Sequence, residues 1–197
     1  VSRRAHAPDF GLRLVRNTAL WALPACLVWL LLTPAYNRFL IEAGENLLHI
    51  IESPNVTRLV PDDDHYALIT RIDFPPSRQV VSSFRLSDLH FHVILLVGLF
   101  LGTPRTPWRK RLGDLGLALV IAAFFHLILI VFWVQFTYAT QLGDWSVETY
   151  GPLARNFWGL GKHVLDLPVK LAFPLLLWAA FYIDRLLPPE PAGDGAA

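Results

Sequence analysis

Asp88, His90 and His92 lie close together in the segment SDLHFHV. Imidazole nitrogens and carboxylates are the ligands that zinc or copper takes, so these three, joined by His163, form a candidate metal site. The backbone decides whether they can act together. On a helix His90 and His92 point about 200° apart, and only an extended stretch turns both toward one ion. Their plainer role is hydrogen bonding to water or lipid headgroups at a membrane interface. His126 stands alone inside the apolar run VIAAFFHLILIV, where a polar side chain is costly unless it faces other helices and finds a partner. Gln135 or Thr137, reached by way of a neighbouring helix, is the expected partner. A haem held by two histidines would need a second one at that depth, but the first and fourth apolar runs contain none and those of the second lie at its outer end. No cofactor is expected. Ser82 and Ser83 are candidate nucleophiles with His163 as base, and His126 joins the catalytic candidates if these residues converge in one outward-open cleft; a serine works only if the base is well placed. Cys26 is the only thiol, so neither an intrachain disulfide nor a cysteine metal cluster can form. It lies within an apolar run, where it reads as a small packing residue and where a thiolate is disfavoured. Phosphate loops, serine-hydrolase elbows and zincin motifs are absent.

The elements that must position these side chains are those of a membrane protein. Of 197 residues 54% are hydrophobic and 17% charged, with mean hydropathy +0.42, more apolar than a soluble domain. A helix rises ~1.5 Å per residue and must cross ~30 Å of hydrocarbon. Residues 18–34, 115–139 and 168–187 satisfy that length, and 86–103 does so only if the residues before Leu89 join the helix. About four spans are therefore expected. Arg3, Arg4, Arg13 and Arg16 precede the first, and Arg105, Arg109, Lys110 and Arg111 fill the connection between the second and third. By the positive-inside rule both ends of the chain face the cytoplasm. The first run reads as a retained signal anchor, because Thr33-Pro34-Ala35 is a poor cleavage site. Segment 35–88 is richer in acid than in base and belongs outside, as do residues 141–166.

Within that outer segment, apolar residues recur at helical spacing from Tyr36 to Ile51 opposite Glu42, Glu45 and Asn46. They predict an amphipathic helix that lies on the surface or continues the first span beyond Pro34. Residues 66–74 and 79–84 read as two strands around Pro75-Pro76-Ser77, a small hairpin. Pro168 suits the first turn of the fourth helix, with Lys170 snorkelling to the headgroups and Pro174 kinking it. The fold class is thus an all-α membrane protein of one domain, residues 1–187, carrying an amphipathic helix and a β-hairpin on its outer face. Residues 188–197 form a disordered cytoplasmic tail. Arginine outweighs lysine, only Lys110, Lys162 and Lys170 being lysine, and methionine is absent even at position 1. These point to a GC-rich bacterial genome and a trimmed start. The basic loop TPRTPWRKR is too short and too poor in aromatic residues for nucleic acid; anionic lipid is its natural contact.

In order along the chain, the stretches TPAYNRFLIEAGENLLHIIE, HYALITRIDF, RQVVSSFRLSDLHFHVILLV, PWRKRLGDLGLALVIAAFFHLILIV and LGKHVLDLPVKLAFPLLLW resemble the exosortase and archaeosortase family of membrane transpeptidases. The likeness spans roughly residues 30–187. It implies a membrane enzyme with a cysteine nucleophile, an intramembrane arginine and a histidine before the last span. This chain has Val81-Ser82-Ser83-Phe84-Arg85 where the cysteine falls, and the neighbourhood of His126 where the arginine falls. Only His163 matches in kind. Without thiolate and arginine, the resemblance implies a non-catalytic relative, an accessory protein of the bacterial inner membrane. Its partners would be membrane lipids and another membrane protein or a secreted substrate. Two other readings are a membrane hydrolase or transpeptidase using Ser82 or Ser83 with His163 or a metal, and a structural subunit of a bioenergetic complex.

Overall fold

The computed structural model describes residues 7–62 and 65–183. The tail 188–197, Arg3 and Arg4 lie outside the described residues. The first element is one unbroken helix, α1 (Ala7–Ile51), 45 residues long and hence about 68 Å. It contains both Pro24 and Pro34, and the Thr33 hydroxyl donates to the Trp29 carbonyl at 2.8 Å beside the second. The apolar run and the amphipathic stretch are therefore one element, the second of the two arrangements their periodicity allows. In its first half Leu20, Leu23, Leu27 and Leu31 are all more than half exposed; in its second half Leu40 and Leu48 are sealed in a core.

Three strands follow, where a hairpin was expected. They are β1 (Thr57–Pro61), β2 (Tyr66–Arg71) and β3 (Val80–Arg85), all antiparallel in the order β1-β2-β3. The hairpin read from the alternation is the β2–β3 pair. The ladder bonds Asp62 N to Tyr66 O and Ile72 N to Val56 O fix which backbone groups of β1 face β2; those of Thr57 and Leu59 face the other way. There α1 closes them. Thr57 N–H donates to a Glu52 carboxylate oxygen at 3.3 Å, the His49 ring bonds Thr57 O at 2.8 Å, and Leu59 N–H donates to Glu45 at 2.9 Å. Proline at 61 has no donor to satisfy. An edge that could pair with another chain is in this way covered by side chains of α1 and of Glu52 just past its end.

The chain then turns back along α1. The segment 86–103 is not one span: Phe84 and Arg85 belong to β3, and the helix is divided into α2 (Ser87–His90) and α3 (Val93–Gly102) around Phe91 and His92. Gly98 and Gly102, four apart, let α3 lie against α1. A Cβ at Gly102 would stand 2.7 Å from Thr18 N, and one at Gly98 3.0 Å from Thr18 O, the close backbone approach that small residues at this spacing permit. Asn17 also donates to Gly102 O at 3.2 Å. Arg111 fastens the far end of α3, donating to Thr106 O at 2.9 Å and Leu101 O at 2.7 Å, so the basic loop also satisfies helix-terminal carbonyls.

After it come α4 (Trp108–Thr140), of 33 residues and so about 50 Å, the short α5 (Asp144–Thr149), α6 (Pro152–Val164) and α7 (Lys170–Tyr182). The last helix starts at Pro152 rather than at Pro168. Pro168 instead lies in a π turn, residues Leu165–Val169, that joins α6 to α7, and such a turn takes up a residue without a donor. Lys170 does not snorkel. It is buried and donates to Asp166 at 2.5 Å, while Lys162 meets the other oxygen of that carboxylate at 3.1 Å.

Two cores result. Leu96, Phe100, Ala118, Ala122, Trp178 and Tyr182 fill one between α3, α4 and α7. Leu40, Leu48, Ile69, Phe84, Leu129 and Tyr138 fill the other between α1, the sheet and α4. Among the described residues three helices are long and apolar enough to cross a membrane: Phe10–Ile51, Trp108–Thr140 and Pro152–Tyr182. The α2–α3 helix is apolar but shorter.

Candidate functional site

Where the two cores meet, three histidines are buried. His90, His92 and His126 are 1%, 3% and 0% exposed. The turn between α2 and α3 makes His90 and His92 diverge, as a helical backbone requires. His90 points to α1 and His92 to α4 and α7, with His126 of α4 between them. Ring centroids of His92 and His126 are 5.0 Å apart, and those of His90 and His126 6.3 Å.

Hydrogen bonds fix the protons. The Trp29 indole N–H, which can only donate, reaches His90 Nδ1 at 3.1 Å. His90 therefore carries its proton on Nε2 and donates it to Asn37 Oδ1 at 2.8 Å. The second group is a chain. Tyr36 Oη lies 2.6 Å from His126 Nδ1, and His126 Nε2 lies 3.2 Å from His92 Nε2. If the tyrosine donates, His126 passes a second hydrogen bond to His92, and the remaining N–H is at His92 Nδ1, which has no partner. That N–H lies among Phe91, Phe125 and Phe173, whose rings are 6.0, 6.1 and 5.7 Å from the imidazole; aromatic faces are weak acceptors. The opposite direction would leave the tyrosine hydroxyl without an acceptor, so we assign the first.

This arrangement ties α1, the α2–α3 turn and α4 together with directional bonds. Neither the candidate serines nor a carboxylate takes part in these bonds. The two Nε2 atoms at 3.2 Å leave no room for a macrocycle between them. His92 does stand at the depth of His126, contrary to the expectation that the second span's histidines lie only at its outer end. The partners expected for His126 are engaged elsewhere. Gln135 accepts from Tyr150 at 3.1 Å, and the Thr137 hydroxyl donates to Trp133 O at 3.0 Å.

The other candidates are scattered. Ser82 and Ser83 lie in β3 opposite Ile69 and Leu68, and among the described residues neither hydroxyl has a hydrogen bond to a histidine. His163, exposed on α6, packs edge-on against Phe136 at 5.6 Å, ten residues or about 15 Å along α4 from His126. Asp88 is exposed. Among the described residues no three His, Cys, Asp or Glu side chains are grouped to hold a metal ion, so Asp88, His90, His92 and His163 do not make one site. Cys26 is half-buried in α1.

Trp29, Tyr36 and Asn37 were not singled out from sequence. The signal was the spacing 29, 33, 36–37 and 40, one helical face once α1 is read through Pro34.

Two surfaces stand outside this core. A groove of about 830 Å³ runs along the second half of α1, with Ile41, Leu59 and Pro34 in its walls and Glu42, Glu45 and Asp62 facing Arg38. At the other end of β1, across from Thr57, Arg71 is forked onto Asp73 at 3.0 and 2.8 Å and stacked on Tyr138 and Trp145 at 4.7 Å. The guanidinium bond holds the Asp73 carboxyl below its ordinary range.

Comparison with models of known protein families, with curated proteins and with solved structures found no match.

Proposed function

We propose that the chain is a non-catalytic, multi-pass protein of a bacterial inner membrane, an accessory or scaffold component of an exosortase-like protein-sorting system that binds its partner through its outer segment. The observation that carries this reading is the separation of the groups an enzyme would need together. Among the described residues Ser82 and Ser83 lie on the sheet without a histidine partner, His163 is on the surface of another helix, and His126 is sealed with both ring nitrogens hydrogen-bonded. What remains on the outer side is binding surface. The acid-rich groove suits a membrane protein or a secreted substrate held close to the lipid, and the exposed leucines of α1 suit lipid itself.

The chain crosses the bilayer four times in this reading. Gly102 lies against Thr18, and His90 against Trp29 and Asn37. The α2–α3 helix therefore runs beside α1 for about 18 Å from His90 to Gly102, and in this reading the end of β3 supplies the rest of the ~30 Å of hydrocarbon. Both ends of the chain are then cytoplasmic, and α1 and α4 project beyond the outer surface to carry the sheet. The histidine chain lies at the base of that projection.

The test is sorting of secreted substrate proteins in the source cell deleted for this chain and complemented with variants. Ser82→Ala with Ser83→Ala, His163→Ala and Cys26→Ala should each restore sorting to within twofold of wild type. Glu42→Lys with Asp62→Lys should reduce it at least tenfold. Loss of sorting with the serine or histidine variants, at wild-type protein level, would return the enzyme reading.

A further inference from the structure

The sheet has two edges, and the fold treats them differently. Every outward N–H of β1 is satisfied by α1 or removed by proline. For β3, the bond from Leu86 N to His65 O and the register Ala67↔Phe84 and Ile69↔Ser82 turn the backbone groups of Ser82, Phe84 and Leu86 toward β2. Those of Ser83 and Arg85 face away from the sheet. Among the described residues they meet no other element in a hydrogen bond, and both residues are exposed. The strand begins beside an apolar pocket formed by Phe74, Val80, Val81, Leu142 and Trp145. Arg78 borders that pocket, and Arg85 ends the strand, while β3 itself contains no acid.

We propose that the open edge of β3 receives an extended, acidic segment of another polypeptide as a fourth strand. The backbone of the guest would pair with Ser83 and Arg85, a large apolar side chain would fill the pocket against Trp145, and its carboxylates would meet Arg78 and Arg85. Main-chain pairing supplies affinity in this mode, and the pocket and the charges supply selectivity. The inference rests on the partner-binding reading above and names the kind of partner.

Because the Ser83 N–H takes no part in the β2 ladder, Ser83→Pro removes the outward donor and obstructs an added strand while leaving the sheet paired. The probe is a fluorescent, capped heptapeptide alternating glutamate with valine and carrying one tryptophan, titrated against the full chain in lipid nanodiscs. It should bind wild type and Ser83→Ala within twofold of each other and Ser83→Pro at least tenfold more weakly. On wild type, the same peptide N-methylated at alternate residues, and a version with lysine for glutamate, should each bind at least tenfold more weakly. Equal binding of the N-methylated peptide or by folded Ser83→Pro, or no binding of the parent peptide, overturns strand addition. Equal binding of the lysine peptide overturns the acidic assignment. Should Ser83→Pro not fold, the N-methylated comparison on wild type decides. In the sorting assay, loss with Glu42→Lys and Asp62→Lys but not with Ser83→Pro refutes this edge and leaves the partner reading intact. No effect of any of these variants refutes the partner reading itself.

Discussion

Replacing His126 strands two other polar groups. Its ring accepts from the buried Tyr36 hydroxyl and bonds His92, and an unsatisfied buried polar atom costs about 1–3 kcal/mol. Leucine at this position favours the apolar helix, so His126→Leu should accumulate in the membrane at the wild-type level. It should nonetheless lose roughly 2–6 kcal/mol of stability by the penalty for two such groups, read as a lower melting temperature in detergent. Tyr36→Phe breaks one bond and should lose less. An unchanged melting temperature for His126→Leu would deny the chain any structural weight. That His126 must be buried and partnered was legible in its sequence context, a lone polar residue in an apolar run. Its partner was not. The pairing with His92 depends on the helix break at Phe91 and His92, which no local pattern announces. The pairing with Tyr36 depends on α1 passing straight through Pro34.

Glu45 works at the level of the element. It joins the exposed end of β1 to α1 by accepting from Leu59 N–H and pairing with Arg58 at 2.7 Å. Glu45→Ala should weaken the fold by about 1.5–3 kcal/mol, the value of a hydrogen bond to a charged group, and should expose β1 to pairing with other copies. Thermal melting and light scattering report the two effects. Glu45→Gln keeps an acceptor for Leu59 and should retain most of both properties; full retention by Glu45→Ala would mean that the helix does not guard this edge. The β2–β3 hairpin was visible as alternation around a Pro-Pro turn. β1 was not, being five residues long and held by helical side chains rather than by its own pattern. Likewise α6 escaped the length test because it is amphipathic, and Pro168 appeared to start a helix that in fact runs through it as a π turn.

For the whole molecule, composition was enough to expect membrane-spanning helices, and three described helices are long and apolar enough to cross a membrane, while the arginine distribution carries the proposed sidedness. Composition and arginine distribution did not reveal that α1 and α4 extend far past the length a bilayer needs, so that the sheet is carried on two of the helices long and apolar enough to cross a membrane. That geometry makes sidedness the central claim, since the groove, the open edge and the closed edge all act only if residues 35–88 face outward. The decisive measurement is accessibility to a membrane-impermeant maleimide in a Cys26→Ala background. Asp62 lies at the exposed end of β1, and Arg109 is exposed at the start of α4. Asp62→Cys should label in intact spheroplasts, and Arg109→Cys only after the membrane is permeabilised. Labelling of Arg109→Cys in intact spheroplasts with Asp62→Cys protected would contradict the account.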